Sequence, residues 1–560
     1  MNTLILYPPS WIRYNLLPPM GIATLAGVFQ EAGIETSQKN MELDISSNNL
    51  LRGAGISLAW IKDWQNIREF ITDGSVPNEM VSFMSFLSNY TDWQQFDVIC
   101  FSLIGELQLS STLVIATYIR KVNPFATIII GGPYPKTHLS NCQRLIHKVG
   151  CTAIDCIYTY NDGGQRLTYY LKGKGSKRLH MTPKKTDLLP DWTKGFTYDA
   201  DVFNNATPRY HFDKDQQIML SDILYGIRPE WPMLQYSISN GCVSNCFFCT
   251  RNATRFRARE QSIIAREILN LSFEHRTPFI KFECDLVNPS LQWAKTLAEE
   301  LIKQKSQIKW NSYARIAPMD QETAYKLRKS GCVMLRFGVE SGSDDVLERL
   351  RKGHSIADVE RVLRICKTQG IWNGVLFMVG TPGETEQDIE ETVHFIKRNK
   401  RYIDSALVNV FDLLEGSYFY QNPDDVGIHI YRNPVTEELC FDDLRAKRSW
   451  NQYKAFVLNA HAKVVRCLIE EGIGLTGTSV DLMHLAILKY EDNSIAHQKL
   501  CELHPQFLEP LPHHVQRWKL YHPHEVFPFN GYDLPVFSGR LGYSGIEKKD
   551  FIPVETNNAP

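Results

Sequence analysis

Apolar runs of strand length alternate with amphipathic helical stretches in the first 170 residues. The runs predict strands at Thr3–Tyr7, Asp97–Ser102, Thr127–Ile130 and Ala153–Tyr158, and a period near 3.6 predicts a helix at Gly21–Glu31. This alternation favours a doubly wound parallel sheet with helices on both faces. Such sheets bind ligands at the carboxyl ends of their strands, where this segment has its Gly and Pro turns. A helical, aromatic-rich insertion at about 50–93 predicts either an added cap or an enlarged core.

Six further strand-plus-helix units begin near residue 232. Their apolar runs predict strands at Leu234–Ser239, Phe279–Phe282, Lys309–Tyr313, Met334–Gly338, Gly374–Val379 and Ala406–Leu413. Helical patterns lie between them, as at Leu291–Lys303 and Glu386–Asn399. Repeated units of this kind form parallel sheets with right-handed crossovers, so we expect an open, partial (β/α)6 barrel of the TIM type. Its functional site should lie at the carboxyl ends of the strands.

These patterns divide the chain into four segments. Residues 1–171 form the predicted Rossmann-like domain, and residues 172–231, rich in Gly, Pro and polar clusters, form the predicted linker. Residues 232–430 form the predicted barrel. Residues 431–560 are expected to be mostly helical or irregular, with helices at Leu444–Glu471 and Val480–Tyr490, and to help shape a substrate pocket.

Composition narrows the class of protein. The 560 residues are 43% hydrophobic and 22% charged, which is ordinary globular composition. With 61 Lys and Arg against 62 Asp and Glu, the chain has no global field to attract nucleic acid, and we expect no nucleic-acid partner. No apolar run approaches 18 residues and no signal peptide is evident, so neither a membrane span nor secretion is expected, and we predict a cytoplasmic protein. In a reducing compartment, clustered cysteines among the 13 present would be metal ligands.

The segment Asn240–Cys249 has three cysteines, Cys242, Cys246 and Cys249, at spacings of four and three. Three thiolates can bind three irons of a [4Fe-4S] cluster and leave the fourth iron open to another ligand. A structural zinc site prefers four ligands, usually in two pairs, and no second pair lies nearby. Cys284 and Cys332 are isolated on later strands. A zinc-binding interaction protein remains the alternative.

The CxxxCxxC loop, with Phe248 before its last cysteine, resembles that of the radical S-adenosylmethionine (SAM) enzymes. Four further segments resemble motifs of that superfamily in the same order: Phe282–Asp285, Arg336–Gly342, Leu350–Gly353 and Phe377–Thr385. The chain departs from the pattern at Cys284, where Asp is common, and at Leu414–Ser417, where PGT is usual. The resemblance spans Leu234 to Gly427.

The resemblance implies that SAM binds the open iron through its amino and carboxylate groups. Glu340, at a strand end, can accept from the amine or the ribose, unless it forms a salt bridge instead. Ser312 and Arg315 can donate to the carboxylate, although Arg315 could equally pair with a glutamate. Apolar side chains could pack the adenine or could be plain core. The predicted SAM contacts are Phe248, Asp285, Ser312, Arg315, Glu340, Val379 and Leu413.

The first domain resembles the cobalamin-binding domain that precedes many radical SAM barrels. The matching segments are Tyr7–Pro9, Leu17–Ile22, Asp97–Ser102 and Ile130–Pro133, whereas Asn161–Gly164 stands where GEGE is usual. The corrinoid contacts that the resemblance implies are Tyr7, Pro8, Pro9, Pro19, Gly21, Ser102, Leu103, Gly131, Gly132, Pro133, Asp162 and Gly163. The sequence has no DxHxxG motif, so we expect no histidine from that motif on cobalt. A scaffold domain without cobalamin is the alternative.

Both resemblances together imply a cobalamin-dependent radical SAM enzyme, and we predict a C-methyltransferase. Its cofactors would be a [4Fe-4S] cluster, SAM and methylcobalamin, and an electron donor such as flavodoxin or ferredoxin would reduce the cluster. The substrate would be a small natural-product intermediate or a peptide. One alternative keeps both cofactors and catalyses a cyclisation or rearrangement without methylation. The other is a non-catalytic iron–sulfur and cobalamin redox sensor.

Overall fold

The structure is a computed structural model of the 560-residue chain. It describes residues 1–9, 20–42, 44–45, 54–159, 167–168, 171–172, 234–250, 256–275, 277–284, 286–432, 439–475, 527–529 and 532–534. The chain divides into two compact units, residues 1–236 with 275–277 and residues 237–274 with 278–560. The predicted linker and the predicted helix Val480–Tyr490 lie outside the described residues.

The first unit is built on a parallel sheet. Its strands are β1 (Asn2–Tyr7), β2 (Glu35–Asn40), β3 (Val98–Ser102), β4 (Thr127–Gly131) and β5 (Cys156–Ile157). Their order is β2-β1-β3-β4-β5, with every neighbouring pair parallel. The doubly wound prediction is therefore confirmed. The sequence pattern missed β2, whose residues ETSQKN are almost all polar.

Helices cover this sheet. They are α1 (Met20–Glu31), α2 (Trp64–Asp73), α3 (Val81–Tyr90), α4 (Glu106–Val122), α5 (Pro133–Thr137) and α6 (Leu139–Lys148), with short 3-10 turns at Ala59–Lys62, Asn78–Met80 and Trp93–Gln95. The insertion at about 50–93 enlarges the core, because Trp60 and Phe83 are fully buried in the same hydrophobic cluster as Leu4 and Ile99. The Trp60 and Phe83 rings lie 5.0 Å apart.

The second unit contains the βα repeats, except that residues 234–236 of their first strand fall in the first unit. The strands from residue 234 to residue 410 are β6 (Leu234–Ser237), β7 (Ser239–Asn240), β8 (Arg257–Ala258), β9 (Phe279–Glu283), β10 (Lys309–Ala314), β11 (Cys332–Glu340), β12 (Trp372–Val379) and β13 (Ser405–Val410). Later strands are β14 (Ile428–Arg432), β15 (Leu439–Asp443), β16 (Gly474–Leu475), β17 (Phe527–Phe529) and β18 (Tyr532–Leu534). The main sheet has the order β16-β13-β12-β11-β10-β9-β6. The pairs from β9 to β13, and β13 with β16, are parallel, which confirms the partial barrel.

The helices of this unit alternate with its strands. They are α7 (Gln261–Glu274), α8 (Leu291–Lys303), α9 (Gln321–Lys329), α10 (Asp344–Arg349), α11 (Ile356–Thr368), α12 (Glu386–Asn399), α13 (Tyr418–Gln421), α14 (Pro423–Val426) and α15 (Trp450–Glu470), with a 3-10 turn at Lys400–Tyr402. Helices α8 and α12 have the predicted bounds. Both begin at side-chain caps: Ser290 accepts from the Trp293 N–H, and Thr385 forms a capping box with Asp388.

Two predicted boundaries need correction. Strand β13 ends at Val410, so Leu413 lies in the loop that follows it. The last described helix begins at Trp450 instead of Leu444, because β14 and β15 form a hairpin and a turn between Asp443 and Arg448 then precedes the helix. Among the described residues, no helix is long and apolar enough to span a membrane.

Candidate functional site

The three clustered cysteines lie on a loop between two short strands, and the pairing of these strands forms a short β-ladder at the ends of the loop. Strands β7 and β8 pair antiparallel on either side of the loop, and the Arg259 N–H donates to the Ile238 carbonyl at 3.1 Å. Gly241 has φ +80°, a left-handed conformation that lets the chain turn immediately before Cys242. The ladder therefore presents Cys242, Cys246 and Cys249 as one group.

The three thiols of the loop differ in their exposure. Cys246 is buried, whereas Cys242 and Cys249 are partly exposed. The Ser244 N–H lies 3.3 Å from the Cys242 Sγ, as a donor to a cluster thiolate would. Within the described ranges, no three His, Cys, Asp or Glu side chains converge closely enough to hold one metal ion.

Phe247, in the middle of this loop, makes backbone hydrogen bonds and ring contacts with two other segments of the chain. Its N–H donates to the Leu350 carbonyl at 3.0 Å, and its carbonyl accepts from the Phe419 N–H at 3.3 Å. Its ring stacks on Tyr418, with centroids 3.9 Å apart, and the Arg351 guanidinium lies 5.4 Å from its centroid. The turn after α10 and the helix α13 thus fix the loop that presents the thiols.

Glu340 and Lys352 form a buried ion pair beside the cysteine loop. The Lys352 Nζ lies 3.0 Å from the Glu340 Oε1, and each side chain is only 11% exposed. Lys352 also lies 5.7 Å from the ring centroid of Phe248. Glu340 ends β11 after a register shift and has φ +68°, which is uncommon for a residue other than glycine. Such backbone strain is typical of functional positions.

The charges around the thiols are coupled. Burial raises the pKa of the Cys246 thiol; Lys352 and Arg315 oppose the rise, and Glu340 and Cys242 add to it. Burial alone would lower the pKa of Lys352, but Glu340 and the cysteines outweigh it and the pKa is raised. Lys352 is therefore an ammonium ion next to the cluster loop. Thiolates and a bound cluster, which are anionic, would be stabilised by this cation.

Sequence reasoning quoted Lys352 within a motif but gave it no role. It also missed His354, whose Nε2 is buried and has no hydrogen-bond partner among the residues that the structure describes. Burial, together with Lys352, lowers the pKa of His354 to about 4, so its imidazole is neutral at pH 7. The Leu350–Gly353 segment was the feature of the sequence that could have indicated these residues. Its contact with the cysteine loop joins residues far apart in the chain, so no local pattern predicts it.

The structure places the predicted SAM contacts in two groups. Phe248, Arg315 and Glu340 lie around the cysteine loop, since Arg315 and Glu340 act on the charge of Cys246 and Phe248 belongs to the loop. The backbone of Arg315 is held by Asn288, whose Oδ1 accepts from the Arg315 N–H at 2.7 Å. Asp285 lies outside the described residues.

The other predicted contacts lie in the interior. Ser312 is fully buried, and its Oγ donates to the Phe282 carbonyl at 3.3 Å and lies 3.2 Å from the Cys284 Sγ. Val379 is 1% exposed and Leu413 is 8% exposed. Their assignment as SAM contacts stays a prediction, and their present packing is that of core residues.

In the first unit, the predicted corrinoid contacts converge at one edge of the sheet. The order β2-β1-β3 makes the carboxyl ends of β1 and β3 a topological switch point, where ligands of such sheets bind. Helix α4 holds the chain after β1, because the Gln108 Nε2 donates to the Pro8 carbonyl at 3.0 Å and the Ser111 Oγ to the Pro9 carbonyl at 2.6 Å. A Cβ added to Gly21 would lie 3.1 Å from the Ser102 Oγ. Tyr7 is itself buried in the core.

The turn after β4 approaches the chain after β3. The Leu103 N–H donates to the Gly131 carbonyl at 2.8 Å, and the Tyr134 N–H donates to the Leu103 carbonyl at 3.1 Å. Gly132 has φ +105°, and a Cβ there would lie 2.6 Å from the Leu103 carbonyl oxygen, so this glycine is required by internal packing. Pro133 begins α5. Pro19, Asp162 and Gly163 lie outside the described residues.

Comparison with known proteins identifies the domain that carries the cysteine loop. Residues 236–396 match the family model of the radical SAM superfamily. The chain therefore contains a radical SAM domain, as its motifs predicted.

Solved structures share the fold over most of the chain. The radical SAM methyltransferase TsrM from Kitasatospora setae, with cobalamin and a [4Fe-4S] cluster bound, has a TM-score of 0.59 and 14% identity, covering 90% of this chain and all of that one. The cobalamin-dependent SAM radical enzyme OxsB has a TM-score of 0.54 and 14% identity, covering 93% of this chain and 75% of that one. At this identity, the likeness shows the fold.

Curated relatives match a shorter segment. An uncharacterized methyltransferase of Pyrococcus horikoshii is 26% identical over 163 residues, which is 29% of this chain and 36% of the relative. The anaerobic magnesium-protoporphyrin IX monomethyl ester cyclase of Rubrivivax gelatinosus is 25% identical over 187 residues, 30% of this chain and 33% of the relative. The chain thus spans about a third of the length of these relatives.

Proposed function

We propose that this protein is a cobalamin-dependent radical SAM methyltransferase. The observation that carries the proposal is the cysteine loop of the radical SAM domain, with the buried Glu340–Lys352 pair beside it. The parallel sheet with a switch point and the shared fold with two cobalamin-dependent enzymes support the corrinoid.

Each cofactor has residues that could hold it. Cys242, Cys246 and Cys249 would bind three irons of the cluster. Glu340, oriented by Lys352, would accept from the SAM amine, and Arg315 would donate to the SAM carboxylate. When bound, the cluster and SAM supply a 5′-deoxyadenosyl radical, and the corrinoid supplies the methyl group.

The protein's own contribution is positioning. Phe247 fixes the cluster loop through its contacts with Leu350 and Tyr418. Lys352 donates to the Glu340 Oε1 at 3.0 Å and would orient that carboxylate. Holding reacting atoms near contact removes much of the entropic part of a reaction barrier.

The decisive experiment is an anaerobic assay of the reconstituted protein with SAM that carries an isotopically labelled methyl group. A product that gains one labelled methyl supports the proposal. SAM cleavage without methyl transfer would contradict methylation and leave a radical SAM enzyme. Absence of SAM cleavage under reductant would instead point to a redox sensor. An external flavodoxin or ferredoxin would serve as the electron donor.

A cyclisation or rearrangement is the second candidate. The sequence match to a cyclase favours it, because that match covers 30% of this chain, as much as the match to a methyltransferase. Product mass separates the two reactions, since a rearranged product has the mass of its substrate and a cyclised one gains no methyl group.

A further inference from the structure

Arg336, in the middle of β11, is a buried cation with no counter-charge among the described residues. Its residue is 6% exposed, and its Nε and Nη2 atoms are buried with no hydrogen-bond acceptor. It forms no ion pair with any described residue. A charged guanidinium in this position loses hydration that nothing in the described part of the chain replaces.

The side chain lies on the inner face of the barrel sheet. Its Cα partners are Tyr313 on β10 and Gly374 on β12. The opposite face carries residues such as Phe377, whose ring lies 6.2 Å from that of Phe395 on helix α12. The guanidinium lies over Tyr313, 4.0 Å from its ring centroid. This cation–π contact orients the group but does not neutralise its charge.

Two carboxylates of the barrel strands already have cationic partners. Glu283 on β9 forms an ion pair with Lys281, and Glu340 forms one with Lys352. Neither carboxylate forms an ion pair with Arg336, whose Nε and Nη2 lack an acceptor among the described residues. A buried arginine on the inner face of a barrel, without a counter-charge among the described residues, is suited to bind an anionic ligand.

We propose that Arg336 binds a carboxylate of the substrate. The inference rests on the proposed function and adds the substrate class, a small carboxylic acid. A carboxylate matches the two-donor edge of one guanidinium, and because a phosphate can match the same edge, inorganic phosphate is included in the test. Arg336 precedes Glu340 by four residues, roughly 13 Å along an extended strand, so an anchored acid could reach toward the SAM site.

The test uses the full-length, anaerobically reconstituted protein and three probes: acetate, its neutral analogue acetamide, and inorganic phosphate. Acetate should raise the melting temperature of the wild type, and acetamide should not. Arg336→Met should abolish the shift, and Arg336→Lys should retain part of it. The matched control is Arg401→Met, since Arg401 also lies over a tyrosine ring, 4.7 Å from Tyr402, but is exposed.

A second measurement separates a ligand-binding role from a structural one. Because Arg336 has no described partner, Arg336→Met should leave the melting temperature without ligand unchanged or raise it. A clear fall would show a structural role and overturn the proposal. Equal acetate shifts in wild type and Arg336→Met, or a shift with phosphate alone, would also overturn it. So would weaker SAM binding in Arg336→Met, which would assign Arg336 to SAM. None of these readouts needs turnover, so failure of the methyltransferase assay would leave the result readable.

Discussion

Glu384 is a carboxyl group that the barrel buries completely, in the loop after β12. It is 0% exposed, and its Oε2 accepts from the Gly380 N–H at 2.5 Å. Its Oε1 is buried and has no hydrogen-bond partner in the described part of the chain. Burial raises the pKa of Glu384 to about 8; Asp388 adds to the rise, while the Gly380 N–H and Arg349 oppose it. Glu384 is therefore neutral in the folded protein near pH 7.

This raised pKa makes stability depend on pH. A group with a pKa of about 8 when folded and 4.5 when unfolded contributes stability that is fully present below pH 4.5 and is lost as pH rises toward 8. At about 1.4 kcal/mol per pH unit, the loss has an upper limit of about 5 kcal/mol. Glu384→Gln keeps an acceptor for Gly380 and cannot ionise, so it should lose none of this stability.

The assay is urea unfolding of wild type and Glu384→Gln at pH 6 and pH 9. The variant should gain stability relative to wild type between these two values, by up to about 3 kcal/mol. Glu386→Gln is the matched control, because Glu386 is two residues away and 79% exposed. The variant is compared with wild type at the same pH, because a chain of two units need not unfold in one step and both proteins then share the same unfolding behaviour. If Glu384→Gln follows wild type at both values, Glu384 is ionised in the fold and the reasoning is wrong.

The remaining predictions concern the cofactors. Cys246→Ala should lose most cluster iron and all SAM cleavage, whereas Cys332→Ala should keep both; full iron in the first variant would refute the ligand assignment. Glu340→Gln should weaken SAM binding about ten- to a hundredfold with cluster iron unchanged, and an unaltered dissociation constant would contradict a SAM contact. Lys352→Met should lower the reduction potential of the cluster, with Lys352→Arg restoring it, because a buried cation favours the more negative reduced state. Bound cob(II)alamin should show no triplet splitting from a histidine nitrogen in electron paramagnetic resonance; if splitting appears, His138→Ala tests the first histidine after the β4 turn.

Local patterns were sufficient for most of the βα framework. Buried parallel strands are nearly continuous apolar runs, and helices α8 and α12 have polar caps and an apolar stripe within their own residues. The cysteine loop was equally readable, since all three thiols lie within eight residues. Features that depend on interactions between residues close together in the chain can therefore be predicted from the sequence.

Contacts between residues far apart in the chain could not be predicted from local patterns. Strand β2 is one example, because β1 supplies its hydrogen bonds although its own residues are mostly polar. The contacts that set the charges of the site are another. Lys352 reaches the cysteine loop across about a hundred residues of sequence. Arg336 is buried only in the folded barrel, where no described residue gives it an anion. The sequence by itself therefore determined the order of the elements and the position of the three-cysteine loop. The tertiary structure decided which charges are paired, because burial and pairing depend on segments that meet only in the fold.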